Sequence, residues 1–428
     1  MARLTARMLC LPTEADAREE AVRMGVPFGK LEALVGTVGL RAVKLENVAP
    51  AVASALTAMV PEGLGLVVAS QTESPLPGGE GQGEGESPLP RGEGQGEGES
   101  LGILLAAPLP LLMDVAARLE AGGDSEKAVA KALRSTLDRY QGRQLGTTRC
   151  GNLTLEWGKR TYVMGIINVT PDSFSGDGLG ADLDAAVQQG LRFVEEGADI
   201  LDVGGESTRP GSEPVTVQEE LARVIPVIRR LAQETSVPIS VDSYKLLVVQ
   251  EALEAGASMV NDVWGLRRTE GLGSLAAAYD VPIVLMHNRR GEATRGELGG
   301  HFRQMQYRDL MGEVVEGLRE SIELALQSNV KWENVIVDPG IGFGKTPEQN
   351  LVVMRRLREL RSLGRPILMG TSRKSVIGLT LGLPMEQRVE GTGATVAVSI
   401  CNGADIVRVH DVKEMVRVAR MTDAIVRG

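Results

Sequence analysis

From Tyr162 onward the chain alternates short apolar runs with longer stretches of mixed character. The apolar runs end near Asn168, Val203, Val241, Val260, Met286, Val337, Met369 and Val409. They are too short for helices and rich in Val, Ile and Leu, the pattern of strands buried on both faces. The stretches between them carry helical periodicity. Residues 182–196 set Leu183, Val187, Leu191 and Val194 on one face, and the last stretch sets Val412, Met415, Val416 and Ala419 likewise. About eight strand-and-helix units in roughly 270 residues predict an α/β fold of the (β/α)8 TIM-barrel type, with ligands at the carboxyl ends of the strands. A doubly wound open sheet is the structural rival, but it more often has fewer strands.

The first 150 residues read differently. Strands are expected at Leu40–Leu45, Leu64–Ala69 and Leu101–Ala106, and helices at Ala51–Met59, Leu109–Glu120 and Ser125–Tyr140. This predicts a smaller N-terminal α/β domain over residues 1–150, without a chemical motif, ahead of a barrel over 158–428. A tandem duplication interrupts it. Ser74–Glu86 (SPLPGGEGQGEGE) returns as Ser87–Glu99 (SPLPRGEGQGEGE), differing in Gly78 against Arg91. So few apolar side chains cannot offset the entropy of ordering, so residues 74–99 are expected to be a disordered, solvated loop. Its Gly-x-Gly spacings lack the strand-to-helix context of a dinucleotide loop.

Composition narrows the function. The net charge of −10 argues against a general nucleic-acid binder, although a local cluster of cations can still hold an anionic small molecule. No apolar run approaches the roughly 20 residues of a membrane span, and the amino terminus lacks a signal-peptide core. A cytoplasmic protein is expected. Cys10, Cys150 and Cys401 are far apart and lack metal-type spacing, so they read as reduced thiols.

The predicted strand ends carry the chemistry. They supply Asn168, Thr170, Asp172 and Ser173; Asp202 within its strand, then Gly204 to Gly211 with Thr208 and Arg209; Asp242-Ser243; Asn261-Asp262; and Met286-His287-Asn288. The last three supply Asp338 to Lys345, Thr371 to Ser375, and Arg408-Val409-His410. A single Asp or Asn at such a position is most simply a cap or turn former. Polar residues at all eight ends point instead to one site. Asp242, Asn261 and Asp338 suit a flat polar heterocycle with several N–H groups, and Lys374 can reach a ring carbonyl or nitrogen. Asn168, Thr208, Arg209, Arg408 and His410 suit phosphate oxygens. With no nucleophilic Cys and no Ser-His-Asp order, a phosphate group leaves and a second substrate attacks. Gly342 to Thr346 imitates the end of a P-loop, but Pro339 stands where that motif requires glycine. His287, His301 and His410 lack zinc spacing.

With these motifs in view, residues 158–428 resemble dihydropteroate synthase. The resemblance rests on Met164–Ser175, Gly197–Gly211 (GADILDVGGESTRPG), Ser240–Asp242, Asn261-Asp262, Asp338–Lys345, Ser372–Ser375 and Arg408–His410. It implies a (β/α)8 barrel, usually a homodimer. The implied enzyme condenses 6-hydroxymethyl-7,8-dihydropterin diphosphate with 4-aminobenzoate, uses Mg2+ and is a sulfonamide target. Carried over by residue, Asp242, Asn261, Met286, Asp338, Phe343 and Lys374 would contact pterin. Asn168, Arg408 and His410 would hold diphosphate, with Asn168 also on the metal. Phe174, Thr208, Arg209, Pro210 and Ser375 would receive aminobenzoate. Asp242, Lys374, Arg408 and His410 are the implied catalytic set, acting on a dissociative reaction. Two departures stand out. The family usually has Asp directly after the Ser175 position, where this chain reads Gly176-Asp177, and Ser243 stands where Thr is commoner. The rivals are a methyltetrahydrofolate-type methyltransferase barrel, which has no use for Ser372–Ser375 or the Arg408/His410 pair, and a silent pterin-binding paralogue acting through its N-terminal domain.

Overall fold

A computed structural model describes residues 4–10, 13–24, 40–60, 66–71, 101–141, 145–169, 179–206, 215–289 and 306–428 of the 428. Contacts divide the chain into two compact units, Met1–Asp138 and Arg139–Gly428. The predicted loop at 74–99 lies outside the described residues.

In the first unit, β1 (Thr5–Leu9), β2 (Leu40–Val48), β3 (Leu66–Gln71) and β4 (Leu101–Pro108) form an antiparallel sheet in the order β1-β2-β4-β3. Helices span Glu14–Arg23, Pro50–Met59, Leu109–Glu120 and Asp124–Tyr140. Pro50 and Pro110 sit in first turns, where a missing N–H costs no helical hydrogen bond. The pattern reading did not find β1 or the helix after it, which begins at a Thr13 side chain accepting from Asp16 N–H.

The second unit opens with a hairpin, β5 (Thr147–Cys150) and β6 (Leu153–Glu156). Eight parallel strands follow: β7 (Tyr162–Asn168), β8 (Ile200–Gly204), β9 (Ile239–Asp242), β10 (Met259–Asp262), β11 (Ile283–Met286), β12 (Val335–Asp338), β13 (Leu368–Met369) and β14 (Ile406–Val409). All eight predicted strands are present. Their order is β12-β11-β10-β9-β8-β7-β14-β13, and a parallel bridge from Val337 to Ile367 closes the barrel. Helices on the outside bury the expected faces, Val187 in Leu179–Glu196 and Val412, Met415, Val416 and Ala419 in Val412–Val426.

Strand alternation divides the barrel in two. Outward residues such as Ile167, Leu201, Val203, Val241, Val260, Leu285, Val337 and Val407 pack with the helices in one large core. Inward residues at the amino ends, Met164, Ile200, Met259, Val284, Ile336, Leu368 and Ile406, form a second apolar cluster with Leu145, Cys150, Leu155 and Trp157. The hairpin region therefore forms the floor of the barrel. Trp157 meets Tyr162 edge-on at 5.7 Å between ring centroids, and its indole N–H donates to Thr148 Oγ1 at 2.8 Å. Leu145 and Cys150, which the sequence reading grouped with residues 1–150, pack in this floor, and the division by contacts begins the second unit at Arg139. One unit also differs from simple alternation. The two-residue strand β13 is followed by two helices, Ser375–Leu381 and Val389–Cys401, the first ended by Gly382 at φ +68°. Among the described residues no helix is long and apolar enough to cross a membrane.

Candidate active site

Above the apolar floor the inward positions turn polar. Asp202 on β8 is fully buried, and Asn261 on β10 nearly so. Asp242 ends β9, flanked in register by Gly204 and Asn261. A Cβ on Gly204 would stand 3.3 Å from Asp242 Cβ, so glycine keeps this side of the carboxylate open. From β14, Arg408 crosses the mouth. Its Nε donates to Asp202 Oδ2 and its Nη2 to Asp242 Oδ2, both at 2.6 Å. Asn261 Nδ2 donates to the same Asp202 oxygen at 3.1 Å. One guanidinium thus bridges two carboxylates from neighbouring strands.

The opposite wall comes from β12 and β13. Asp338 ends β12, buried, and accepts from Gly340 N–H at 2.7 Å. Gly340 has φ +69°, and a Cβ there would come 2.1 Å from the His287 carbonyl oxygen. Only glycine fits that turn. Lys374 donates from Nζ to the Ile341 carbonyl and lies 5.0 Å from the Phe343 ring centroid. Phe343, Met286 and Val263 cluster with Tyr244 and Trp264, giving the polar mouth an apolar wall.

Burial dominates the electrostatics. It raises the Asp242 carboxyl to about 7, with Asp202, Glu220 and Asp262 adding to the rise and Arg408 opposing it. Burial also raises Asp338, against the pull of Lys374. Arg408 rises further from its ordinary value because Asp202 and Asp242 outweigh its own burial.

A sequence profile for the family described as "Pterin binding enzyme" matches residues 164–410. The dihydropteroate synthase of Clostridium beijerinckii is 49% identical over 280 residues, which is 65% of this chain and 99% of that protein. The crystal structure of dihydropteroate synthase from Clostridium difficile in the presence of pteroic acid is 51% identical. It covers 64% of this chain and 99% of its own, with a TM-score of 0.59. The Xanthomonas albilineans enzyme with 4-aminobenzoic acid is 43% identical, covering 65% and 97%, with a TM-score of 0.60. The chain belongs to the dihydropteroate synthase family. Its barrel is that of a transferase.

Against the residues that the likeness to dihydropteroate synthase singles out, the structure brings Asp242, Asn261, Met286, Asp338, Phe343, Lys374 and Arg408 around one mouth. His410, two residues beyond Arg408, lies beside the β13 loop, where its N–H donates to Ser372 Oγ at 3.1 Å and its Nδ1 is 3.0 Å from the same oxygen. Asn168 is half-buried at the end of β7, in register with Gly204. Ser375 opens the helix after Lys374. Phe174, Thr208, Arg209 and Pro210 lie outside the described residues, as do Thr170, Asp172, Ser173, Asp177 and His301.

Two strand-end residues serve the scaffold. Asp262 accepts from the Trp264 and Leu266 N–H groups at 2.9 and 2.6 Å, holding a turn; burial raises it to about 6. His287 is buried with Nδ1 3.0 Å from Lys345 Nζ. The lysine of the P-loop look-alike is thereby accounted for. Lys345 donates to the Gly340 and Phe343 carbonyls at 3.1 and 3.2 Å, bracing the loop after β12, and burial lowers it to about 7.

Pattern reading passed over two groups. Asp202 reads in the sequence as a residue within a strand, yet it lies at the centre of the mouth. Its signal is an acid inside an otherwise apolar strand that is buried on both faces. Lys245 was not singled out; its Nζ donates to Glu206 and Glu220 at 2.5 Å each and to the Val215 carbonyl at 2.6 Å. It ties together the two ends of the segment that contains Thr208 and Arg209.

Proposed function

We propose that the barrel condenses 6-hydroxymethyl-7,8-dihydropterin diphosphate with 4-aminobenzoate to give 7,8-dihydropteroate and diphosphate. The observation that carries this reading is the Arg408 fork bonded to Asp202 and Asp242 inside a ring of Asn261, Asp338 and Lys374, on a chain of the dihydropteroate synthase family. Asp242, Asn261 and Asp338 supply acceptors for the N–H edge of a pterin, Lys374 supplies a donor, and Phe343 and Met286 cover its faces.

The chemistry follows from charge. The C–O bond between the pterin methylene and the diphosphate breaks, and its electron pair leaves with the oxygen. Positive charge spreads from the methylene into the ring, and the largely buried Asp242 carboxylate stabilises it. Arg408 and His410 face the negative charge that the departing diphosphate gains. The arylamine nitrogen then bonds to the methylene and loses its proton. Phe174, Thr208, Arg209, Pro210 and Ser375 receive the aminobenzoate in this reading.

The donor set also fits Mg2+. Among the described residues no three His, Cys, Asp or Glu side chains gather into a metal cage. Mg2+ commonly takes one or two protein oxygens and completes its shell with water and substrate phosphates. The Asn168 amide oxygen is such a donor at the mouth. When bound, the ion would offset charge on the diphosphate.

We also infer a homodimer. Leu379 and Leu381, Val398, and Met421 and Ile425 are exposed on the three consecutive helices Ser375–Leu381, Val389–Cys401 and Val412–Val426, an apolar set of the kind that subunit contacts bury. Sedimentation at assay concentration gives the mass of two chains; the mass of one chain overturns this inference.

Purified protein supplied with Mg2+ and both substrates is expected to form 7,8-dihydropteroate, with sulfonamides competing against 4-aminobenzoate. Pterin binding without turnover would replace this reading with that of a silent paralogue.

A further inference from the structure

The mouth contains one carboxylate for which the reaction above has no direct task. Asp202 is fully buried, below the level at which a ligand would meet Asp242. Its Oδ2 accepts from Arg408 Nε at 2.6 Å and from Asn261 Nδ2 at 3.1 Å, while its Oδ1 has no hydrogen-bond partner among the described residues. One oxygen therefore joins two residues that the proposed function assigns to different parts of the substrate, Asn261 to the pterin and Arg408 to the diphosphate.

We propose that Asp202 is a positioning residue that fixes the Asn261 amide and the Arg408 guanidinium for the two halves of a single substrate. The inference rests on the pterin diphosphate reading and deepens it.

The argument for Asn261 is one of donor and acceptor. An amide carries two donors on nitrogen and an acceptor on oxygen, and rotation by half a turn exchanges them. A carboxylate can only accept, so Asp202 holds the nitrogen and leaves Asn261 Oδ1 to face the pocket. The site then presents acceptors from Asn261, Asp242 and Asp338, which selects a heterocycle rich in N–H groups.

For Arg408, Asp202 takes the Nε at the stem of the guanidinium and Asp242 takes Nη2 at its far end. Among the described residues Nη1 makes no hydrogen bond. With the stem anchored, the far end can exchange Asp242 for a phosphate oxygen while the plane of the fork stays in place. A planar fork fixed in this way is suited to two-point contact with phosphate.

The test uses full-length protein and Asp202→Asn, which keeps the shape and one acceptor oxygen but removes the negative charge that holds both donors on Oδ2. Losing a partner that orients a binding group costs about 10–100-fold. In Asp202→Asn with wild-type circular dichroism, KM for the pterin diphosphate is expected to rise by about that factor and kcat to fall. KM for 4-aminobenzoate should stay within about twofold, since among the described residues the hydrogen-bond partners of Asp202 are Arg408 and Asn261, neither assigned to that substrate. Combining Asp202→Asn with Asn261→Ala should cost much less than the product of the two single effects. A merely structural defect would raise both KM values or multiply independently with Asn261→Ala, and either result overturns the proposal, as does an unchanged KM for the pterin diphosphate. Calorimetric binding of 6-hydroxymethyl-7,8-dihydropterin separates this from failure of the function itself. If wild type binds the pterin but does not condense it, the function reading falls. A tenfold loss of that binding in Asp202→Asn still supports the positioning role, and equal binding overturns it.

Discussion

Asp242→Asn is expected to lower condensation turnover by about 10²–10³-fold, the usual cost of removing one preorganised electrostatic partner of a transition state. The variant keeps the shape of the side chain and its place between Gly204 and Asn261, so the barrel should fold. What it loses is the negative charge next to the developing cation, and an amide dipole replaces only a fraction of that. A pH dependence should accompany the loss. Burial raises Asp242 to about 7, while Arg408 pulls the other way. A raised carboxyl takes up its proton earlier as pH falls, so the stabilising charge is present above about pH 7 and disappears below it. In wild type, kcat/KM should fall roughly tenfold per unit on the acid side of that value, and Asp242→Asn should flatten the limb. An unchanged rate in single-turnover assays, or an acid limb that survives the substitution, removes Asp242 from the mechanism.

Arg408→Met should have the largest effect on stability. It leaves Asp202 fully buried and Asp242 largely so, without their shared cation. Removing one partner from a buried ion pair costs about 3–5 kcal/mol, because the remaining charge stays desolvated. The sign of the pH effect follows from linkage. Without Arg408 the Asp242 carboxyl, already raised by burial, loses the cation that pulls it down, so the native state binds its proton more tightly than the unfolded chain does. The deficit is then complete at high pH and shrinks as pH falls through the raised value. Urea titrations should show a larger gap between variant and wild type at pH 8 than at pH 5.5. A gap that does not vary with pH would mean that the loss comes from packing of the arginine stem. Condensation should fall as well, since the same group faces the diphosphate.

Most of the fold was legible because buried parallel strands announce themselves. The runs ending at Val203, Val241 and Val337 are Val/Ile-rich and brief, and polar residues follow each one, so both the barrel and its active end could be read from one dimension. The hairpin Thr147–Glu156 escaped for the opposite reason. Its strands are four residues long, with Thr148 and Cys150 buried and Thr147 and Arg149 exposed, and the surface they cover is built from seven strands, six of them distant in sequence. Nothing local shows that this segment closes the barrel floor. The site was legible as a set of residues but not as a set of bonds. Arg408 and Asp242 are 166 positions apart, and sorting by chemical type placed one with phosphate and the other with the heterocycle. Their pairing depends on strand register, as does the central position of Asp202, whose place inside an apolar run looked like an interruption.

The closed floor also bears on traffic. Leu155, Trp157 and the inward side chains at the amino ends of the strands fill the barrel below the polar layer, so a ligand resting on Asp242 enters and leaves on the side of the strands' carboxyl ends. Of two ligands that share that side, the one seated deeper has to enter before the shallower one covers it, so the order of binding is set by depth as much as by affinity.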